Sequence, residues 1–312
     1  MDGYALIDQP RSGAENMALD QQLLETAARS QSVWLRVYRW SEPTLSLGYF
    51  QPYAQRLDHQ PSSSIPVVRR ATGGGAIVHH YDWTYCVAVP QDWLSRSGQG
   101  RGSSASIGAS TNAASAIGAS AIGASQPLYD LLHDAVVQWL NEIGFAVRKW
   151  SVDCELARPP LTAAQRAAFL CFERRSCGDV VWADRKVMGS AQRRMSGAIL
   201  QHGSLLLSRS PHAPSLPGLS EDVPQVDSQL PAADSIKREL LGGSATRLMP
   251  PALLAEAHEL FTPEVFLQRL VAAVESAAEI KLDRLQSLVE SPVDWNWPKA
   301  SCFAETKWTQ RV

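Results

Sequence analysis

The sequence lacks the features that mark membrane proteins and proteins that bind polyanions. No stretch approaches the ~18 consecutive apolar residues that a membrane-spanning helix requires. The N-terminal segment carries Asp2 and has no apolar core of the kind found in signal peptides. Lys and Arg number 29 against 31 Asp and Glu, so the formal net charge is −2 and no overall basic field attracts nucleic acid or anionic lipid. We therefore expect a cytoplasmic protein that binds neither nucleic acid nor membranes.

Paired cysteine motifs are also lacking. The five cysteines are scattered along the chain, and no two of them form a CxxC pair. We therefore expect no structural zinc site, no other metal centre and no disulfide framework. In a reducing compartment these thiols are free, and any one of them is a candidate nucleophile. The cysteines are Cys86, Cys154, Cys171, Cys177 and Cys302.

The chain divides by composition into unequal parts. Its 312 residues are enough for one large domain with a small appendage. Residues 97–125 are dominated by Ser, Gly and Ala and repeat the strings SIGAS and AIGAS, which is typical of a disordered insertion without chemistry of its own. We predict a catalytic domain over residues 1–210 that contains this insertion, a Pro- and Ser-rich loop over 211–232 and a helical extension over 233–312.

Apolar periodicity predicts helices that alternate irregularly with strands. This order, without a regular βαβ repeat, indicates an α+β fold with a mixed sheet. Helices are predicted at 13–29, at 126–145 with Gly144 as the stop, and at 251–279 with a break before Pro263; strands are predicted at 33–40, 44–50, 76–78, 84–89, 179–183, 186–192 and 198–207.

A triple-glycine turn is the first candidate for a binding element. Arg69 and Arg70 precede Gly73-Gly74-Gly75, and a short apolar run then leads to His79-His80. Glycine backbone N–H groups can approach a ligand that a Cβ would repel, and arginine donors suit phosphate or carboxylate. A plain hairpin turn with solvated arginines explains the same residues, so this turn alone does not decide between the two.

Two later segments repeat this combination of polar side chains and small residues. Lys186 is followed by Gly189-Ser190-Ala191, and the next predicted strand contains Gln201-His202-Gly203 within an apolar run. A strand that faces only a core gains nothing from Lys, Gln and His beside glycine. An edge strand with exposed polar residues is the alternative for each segment taken singly.

Five segments together resemble the lipoate-protein ligase and octanoyl/lipoyl protein transferase family, which is related to biotin-protein ligases. They are AENMALD at 14–20, LRVYRWSEPTLSLGYFQ at 35–51, RRATGGGAIVHH at 69–80, RKVMGSAQRR at 185–194 and LQHGSLLL at 200–207. The resemblance implies a mixed, largely antiparallel sheet with flanking helices. It also implies that an octanoyl or lipoyl group is joined through an amide to a lysine of a small carrier domain. Such carriers include the glycine-cleavage H protein and the E2 subunits of 2-oxoacid dehydrogenases.

The resemblance also implies roles for individual residues. The Arg-Arg-Gly-Gly-Gly turn would line the acyl pocket and, in members that use ATP, cradle the phosphate of an acyl-adenylate. Lys186 would contact the activated carbonyl. Ligases of the family often have His-Asp after the turn where this chain has His79-His80, so no carboxylate role is carried over. The implied substrate-binding set is Arg69, Arg70, Gly73, Gly74, Gly75, His79, Gly189, Ser190, Ala191, Gln192, His202 and Gly203.

The family divides by how the acyl group is activated. Ligases use ATP and Mg²⁺, whereas transferases need no cofactor, take octanoate from acyl carrier protein and hold it as a thioester on cysteine. The resemblance implies that Cys171 is the nucleophile, because it lies just ahead of the hairpin that carries Lys186, where similar cysteine-using members have theirs. The neighbouring cations Arg174, Arg175 and Lys186 would favour its thiolate. Cys177 is the nearby rival. The GSAQRR and QHG motifs resemble those of the cysteine transferases and favour an octanoyltransferase. The alternatives are an ATP-dependent lipoate-protein ligase and a non-catalytic regulator that binds an acyl group or biotin.

Overall fold

Two β-sheets and the helices that cover them form the computed structural model. It describes residues 1–93, 126–151, 153, 168–195, 197–219, 261–287, 302–303 and 305–311. The strands are β1 (Gly3–Ile7), β2 (Val33–Tyr38), β3 (Thr44–Leu47), β4 (Val67–Arg69), β5 (Ile77–His79), β6 (Asp82–Pro90), β7 (Val147–Lys149), β8 (Val180–Trp182), β9 (Arg185–Met195), β10 (Ala198–Leu206) and β11 (Asp283–Leu285); the α-helices are α1 (Gly13–Ser30), α2 (Gln126–Glu142), α3 (Pro263–Ala278) and the single turn α4 (Thr306–Thr309).

The large sheet has eight strands in the order β11-β1-β2-β6-β10-β9-β8-β7. β1 pairs in parallel with β11 and β2, and every other neighbour in this sheet is antiparallel. The small sheet has the order β4-β3-β5, with β3 parallel to β4 and antiparallel to β5. The predicted fold class, a mixed and largely antiparallel sheet with flanking helices, is confirmed.

Local signals fix the helix ends. Ser12 caps α1, since its hydroxyl accepts from the Glu15 backbone N–H while the Glu15 carboxylate accepts from the Ser12 N–H. Gly144 follows α2 with φ of +98°, a conformation that suits glycine after a helix. Thr262 caps α3, and Pro263 occupies its first turn. The predicted break before Pro263 is therefore the start of a helix.

The large sheet is covered on both faces. Helix α1 packs with apolar residues of β2, β6 and β10 into one buried cluster. Helices α2 and α3 pack together on the other face, where a larger cluster includes Trp83 and Trp139. The residues of α3 and β11 thus belong to the same core and the same sheet as residues before 210. Within the described ranges, no helix is long and apolar enough to cross a membrane.

The sheet pairing differs from what adjacent predicted strands suggest. β2 and β3 follow each other along the chain, and so do β5 and β6, yet the members of each couple belong to different sheets. Apolar periodicity identifies strands but not their partners. Strands β4, β7 and β11 are three residues long, too short to show a periodicity. The predicted insertion at 97–125 and residues 220–260 lie outside the described ranges.

Candidate active site

A narrow cavity lies where α1 and the small sheet meet the large sheet. Every element around it contributes to the wall: Met17 from α1, Ser46 and His79 from the small sheet, Gly189 and Ser204 from the large sheet, and Cys171 from a loop. We call this cavity the inner chamber.

The floor of the inner chamber follows one row of the large sheet. Gly189 of β9 is the register partner of Ser204 on β10, which pairs with Thr84 on β6, which pairs with Tyr38 on β2. All four residues line the chamber. Because neighbouring strands are ~4.8 Å apart, the row is about 14 Å long. The chamber is therefore elongated across the strands, with Gly189 at one end and Tyr38 at the other.

Cys171 lies at the Gly189 end of the chamber. The segment that contains it is joined to the glycine turn, since the Ala76 N–H donates to Phe169 O and the Cys171 N–H donates to Ala76 O at 2.7 Å. Gly75 lies against this segment. A Cβ there would overlap Arg174 Nη2 and lie 3.1 Å from Cys171 N, so the absence of a side chain allows the cysteine its position.

The remaining described cysteines have different surroundings. Cys177 is exposed, and Cys302 is exposed as well. Cys86 is buried beneath α1, and burial raises the pKa of its thiol well above the ordinary value. Cys171 is half-buried and lines two cavities, which sets it apart from these three. Cys154 lies outside the described residues.

Lys186 is the partner of Cys171. Its ammonium Nζ lies 3.6 Å from Cys171 Sγ and 2.8 Å from Asp179 Oδ2. Asp179 is held in turn, because it accepts from the Ser176 N–H at 2.7 Å and from the Tyr129 hydroxyl at 3.1 Å. Burial opposes the charge on Lys186, but the nearby sulfur and carboxylate outweigh it, and the pKa of Lys186 lies above its ordinary value. Lys186 is thus a cation at neutral pH.

A second, wider and more open cavity lies on the other side of Cys171. Cys171 and Gly74 line both cavities. The open cavity also has Arg174, Arg175 and Lys186 in its wall, and no carboxylate among its described lining residues. We call it the outer vestibule. It gives Cys171 access from solvent, whereas the inner chamber extends into the protein.

The paired arginines of the glycine turn bind main-chain oxygens. Arg70 donates to Ser46 O, Gly73 O and Gly75 O at 2.7–3.0 Å. Burial lowers its pKa to about 10, with Cys171 acting in the opposite direction. Arg69 is fully buried; it donates to backbone oxygens of 48–51 and to Thr309 O, and it does not line either cavity. The two arginines hold the turn in shape, and only Arg70 reaches the chamber wall.

His79 closes one wall of the chamber within a hydrogen-bonded network. Its Nδ1–H donates to Asp82 at 2.9 Å, its Nε2 accepts from the Ser46 hydroxyl at 2.9 Å, and its ring stacks on Trp40. Thr84 donates to the same carboxylate and accepts from Trp40 Nε1. Burial, which outweighs the attraction of Asp82, lowers the pKa of His79, so the ring is neutral. Because these polar groups satisfy one another, the wall suits an apolar ligand.

His202 joins three elements around the chamber. Its Nδ1–H donates to Asp20 of α1 at 3.0 Å, and its Nε2 lies 2.5 Å from the hydroxyl of Thr72 in the glycine turn. Asp20 also accepts from Arg36 and from the Tyr38 hydroxyl. His202 therefore ties the turn to the helix through buried hydrogen bonds.

The other predicted binding residues fall into three groups. Gly74, Gly189, Ser190, Ala191 and Gly203 line the inner chamber, and Gly75 lines the outer vestibule. The Ser190 side chain points away from the chamber, where it bonds with Tyr85 and His133 on the α2 side. Gly73 and Gln192 line neither cavity, and Gln192 instead donates to Gln201.

Sequence reasoning missed the carboxylates and the far end of the chamber. Asp20 lies in the quoted AENMALD segment, and Asp179 and Asp82 lie near quoted motifs, but no role follows from their spacing. Asp20 meets His202 from a distant segment, whereas Asp179 and Asp82 meet Lys186 and His79 across short reversals of the chain. The far-end residues missed are Met17, Tyr38 and Trp40.

The chain is similar to known proteins over part of its length. Residues 12–102 match the family model of the lipoyl protein ligase A/B catalytic domain. Octanoyltransferase LipM of Kyrpidia tusciae is 34% identical over 209 residues, which are 65% of this chain and 65% of that protein. LipM of Halalkalibacterium halodurans is 30% identical over 215 residues, 66% of this chain and 67% of that protein. About a third of each relative's length therefore lies outside the match.

Solved structures share the fold. A lipoate-protein ligase A bound with ATP gives a TM-score of 0.53 at 16% identity and covers 99% of this chain and 99% of that chain. A bipartite lipoate protein ligase from Thermoplasma acidophilum gives a TM-score of 0.51 at 18% identity, over 99% of this chain and 96% of that chain. At such identities the likeness establishes the fold alone. The sequence matches show that the chain belongs to the lipoyl protein ligase A/B catalytic-domain family.

Proposed function

We propose that this protein is an octanoyltransferase of lipoate assembly. It takes an octanoyl group from acyl carrier protein, holds it as a thioester on Cys171 and passes it to a lysine of a lipoyl carrier domain, such as the glycine-cleavage H protein or an E2 subunit. The observation that carries the proposal is the position of Cys171 between the inner chamber and the outer vestibule, with Lys186 Nζ 3.6 Å from its sulfur. We place this reaction in the cytoplasm.

The first half-reaction exchanges one thioester for another. The Cys171 thiolate attacks the acyl carbonyl, the bond from Sγ to carbon forms, and the bond from carbon to the sulfur of the donor breaks. The Lys186 ammonium stabilises the oxyanion of the tetrahedral intermediate and keeps its proton, while the donor leaves as a thiolate that solvent protonates. The acyl chain then lies in the inner chamber and the free donor thiol leaves through the vestibule.

The second half-reaction forms the amide. A neutral lysine amine of the carrier enters through the vestibule and attacks the thioester carbonyl. The carbon–nitrogen bond forms, the bond to Sγ breaks and the Cys171 thiolate is regenerated. Lys186 stays charged and stabilises the second oxyanion, and the proton that the amine loses passes to solvent. Asp179 holds Lys186 in place throughout.

Two observations favour transfer over ATP-dependent ligation. The curated relatives reported above carry the name octanoyltransferase. Arg69 and Arg70, which would cradle an adenylate phosphate in a ligase, donate to main-chain oxygens of their own and neighbouring loops. The transfer needs no cofactor, whereas the ligase alternative needs ATP and Mg²⁺.

The test supplies purified enzyme with an apo lipoyl carrier domain and either octanoyl-acyl carrier protein or octanoate with ATP and Mg²⁺. We expect octanoylated carrier from the first mixture alone. Product that requires ATP would overturn the proposal in favour of a ligase.

The residue-level test is mass spectrometry of the enzyme after incubation with octanoyl-acyl carrier protein alone. An octanoyl adduct on Cys171 is expected, together with complete loss of adduct and product in Cys171→Ala. Cys177→Ala is the matched control, because Cys177 is exposed and lines neither cavity. Full activity of Cys171→Ala would show that the nucleophile is another group.

A further inference from the structure

We propose that Met17, Tyr38 and Trp40 form the end wall of the inner chamber and limit the length of the acyl chain that Cys171 accepts. This inference rests on the proposed function, since it assigns the chamber to the acyl chain. All three residues line the chamber, and none of them lines the outer vestibule. They would act as the specificity determinant for chain length.

The direction of the chamber follows from the sheet. Gly189 is at the reactive end, because a Cβ on Gly189 would lie 2.7 Å from Lys186 Nζ. The row then continues through Ser204 and Thr84 to Tyr38. Side-chain size increases along it, from none at Gly189 to an aromatic ring at Tyr38. A chain that starts at Cys171 can thus lie over the small residues and meets the ring after three strand spacings, about 14 Å.

Two of the three end-wall residues are fixed by hydrogen bonds. The Tyr38 hydroxyl donates to Asp20 at 2.8 Å, and the Arg36 guanidinium lies 3.8 Å from the ring centroid. Trp40 Nε1 donates to Thr84 at 3.0 Å while its ring stacks on His79. Neither ring can move aside without breaking buried polar contacts, which sets a firm limit on chain length.

Met17 is the adjustable part of the wall. It lies on α1, is 3% exposed and has only an unbranched thioether side chain, which fills gaps without directional contacts. Shortening it removes volume from the wall while Asp20, on the next turn of the same helix, keeps its contacts to Tyr38 and His202. Enlarging it should close the same space.

The experiment measures which acyl group reaches Cys171. The enzyme is mixed with equal amounts of hexanoyl-, octanoyl-, decanoyl- and dodecanoyl-acyl carrier protein, and the Cys171 adducts are quantified by mass spectrometry before one turnover is complete. In Met17→Ala we expect the ratio of decanoyl to octanoyl adduct to rise roughly tenfold, the usual scale for a methylene-sized change in an apolar pocket. In Met17→Phe we expect the ratio of hexanoyl to octanoyl adduct to rise instead.

Met195→Ala is the matched control. Met195 packs against the same apolar cluster, and the substitution removes the same atoms, but Met195 does not line the chamber. Its adduct ratios should equal those of the wild type. Wild-type ratios in both Met17 variants would overturn the end-wall inference while leaving the transferase proposal intact. If the wild-type enzyme acquires no adduct from any donor, the transferase proposal fails.

Discussion

The inner chamber and the outer vestibule meet at Cys171 but differ in how they use polar side chains. In the chamber, His79, Ser46, Asp82 and Thr84 bond with one another, so the polar atoms are turned toward protein partners. In the vestibule, three cationic residues line an open space without a carboxylate among the described lining residues. The inner chamber therefore suits an apolar chain, and the outer vestibule suits a polar or anionic molecule that binds and dissociates.

The difference shows that residue type alone does not tell what an arginine does. Arg70 and Arg174 both lie beside the glycine turn and near Cys171. Arg70 donates hydrogen bonds to main-chain oxygens and so holds the turn in shape, whereas Arg174 lies in the wall of the vestibule. The proposed chemistry then takes place at the boundary between the two cavities, where Lys186 contacts Cys171. Changes at the boundary should therefore alter the rate, and changes in the vestibule should alter substrate binding.

The largest effect is expected at the boundary from Lys186→Gln. Loss of the ammonium removes the donor to the oxyanion, so kcat for octanoyl transfer should fall about 10²–10³-fold. The measurement is steady-state transfer from octanoyl-acyl carrier protein, with the melting temperature recorded because Asp179 loses its buried partner.

Lys149→Gln is the comparison variant. Lys149 also pairs with carboxylates, at Asp130 and Asp134, but on the surface and away from both cavities. It should retain wild-type kcat. A folded Lys186→Gln enzyme of undiminished kcat would remove Lys186 from the chemistry.

The next effect tests how closely the glycine turn must approach the nucleophile. In Gly75→Ala the new Cβ would lie 3.1 Å from Cys171 N and 3.2 Å from Cys171 Cα, so the cysteine has to shift. We expect kcat to fall roughly tenfold, because small displacements of reacting groups are costly. In Gly73→Ala the new Cβ would have no heavy atom within 4 Å, and kcat should stay at the wild-type value.

Equal kcat values for the Gly75 and Gly73 variants would show that the position of Cys171 does not depend on the turn. The measurements are kcat for octanoyl transfer and the rate of octanoyl adduct formation on Cys171, the second of which isolates the first half-reaction. Both variants change one glycine of the same turn, so differences in unfolding should be small compared with the difference in rate.

A smaller effect is expected from the vestibule. Arg174→Gln and Arg175→Gln each remove one cation from its wall, so KM for an anionic carrier substrate should rise several-fold with kcat little changed. The rise should shrink as ionic strength increases, because salt screens such charges. Arg148→Gln, which removes an exposed arginine paired with Asp184, provides the control. An unchanged KM at low salt in both vestibule variants would contradict a role in carrier binding.

The sequence predicts part of the boundary between the inner chamber and the outer vestibule. The motifs indicate Cys171 and Lys186, and the structure brings their side chains into contact. Their catalytic roles stay predictions until the variants are measured. Arg69 shows what the sequence does not reveal, because its guanidinium donates to backbone oxygens and no spacing tells whether an arginine meets those or a ligand.

The residues that line the chamber floor cannot be predicted from the sequence, for a different reason. Gly189, Ser204, Thr84 and Tyr38 come from four strands, and they form a row only because of the register between those strands. Register depends on long-range pairing, and a slip of one residue would turn each side chain to the other face. Asp179 was missed because its partner Lys186 follows only after a chain reversal. The fold class needed no such detail, since the order of helices and strands already indicates it.

The smallest effect on activity is expected on the face of the sheet opposite the chamber. His133 donates from Nδ1 to Gly178 O, and its Nε2 accepts from the Ser190 hydroxyl at 2.7 Å. Burial lowers the pKa of His133 to about 3, against an ordinary value of 6.5. Between these pH values the unfolded chain binds a proton at this site that the folded chain does not. The stability from His133 is therefore complete above pH 6.5 and is lost as the pH falls below it.

His133→Gln should flatten this dependence, because glutamine keeps a donor and an acceptor but does not titrate. From pH 7.5 to 5 the wild type should lose about 2 kcal/mol more unfolding free energy than the variant, as measured by urea denaturation. His79, whose pKa is also lowered, contributes equally to both proteins and cancels in the difference. Parallel curves would mean that His133 titrates normally in the folded protein. At pH 7.5 the variant should transfer the octanoyl group at nearly the wild-type rate, since the Ser190 hydroxyl that contacts His133 points away from the chamber. A change in stability without a change in rate would distinguish the α2 side of the sheet from the side that faces the chamber.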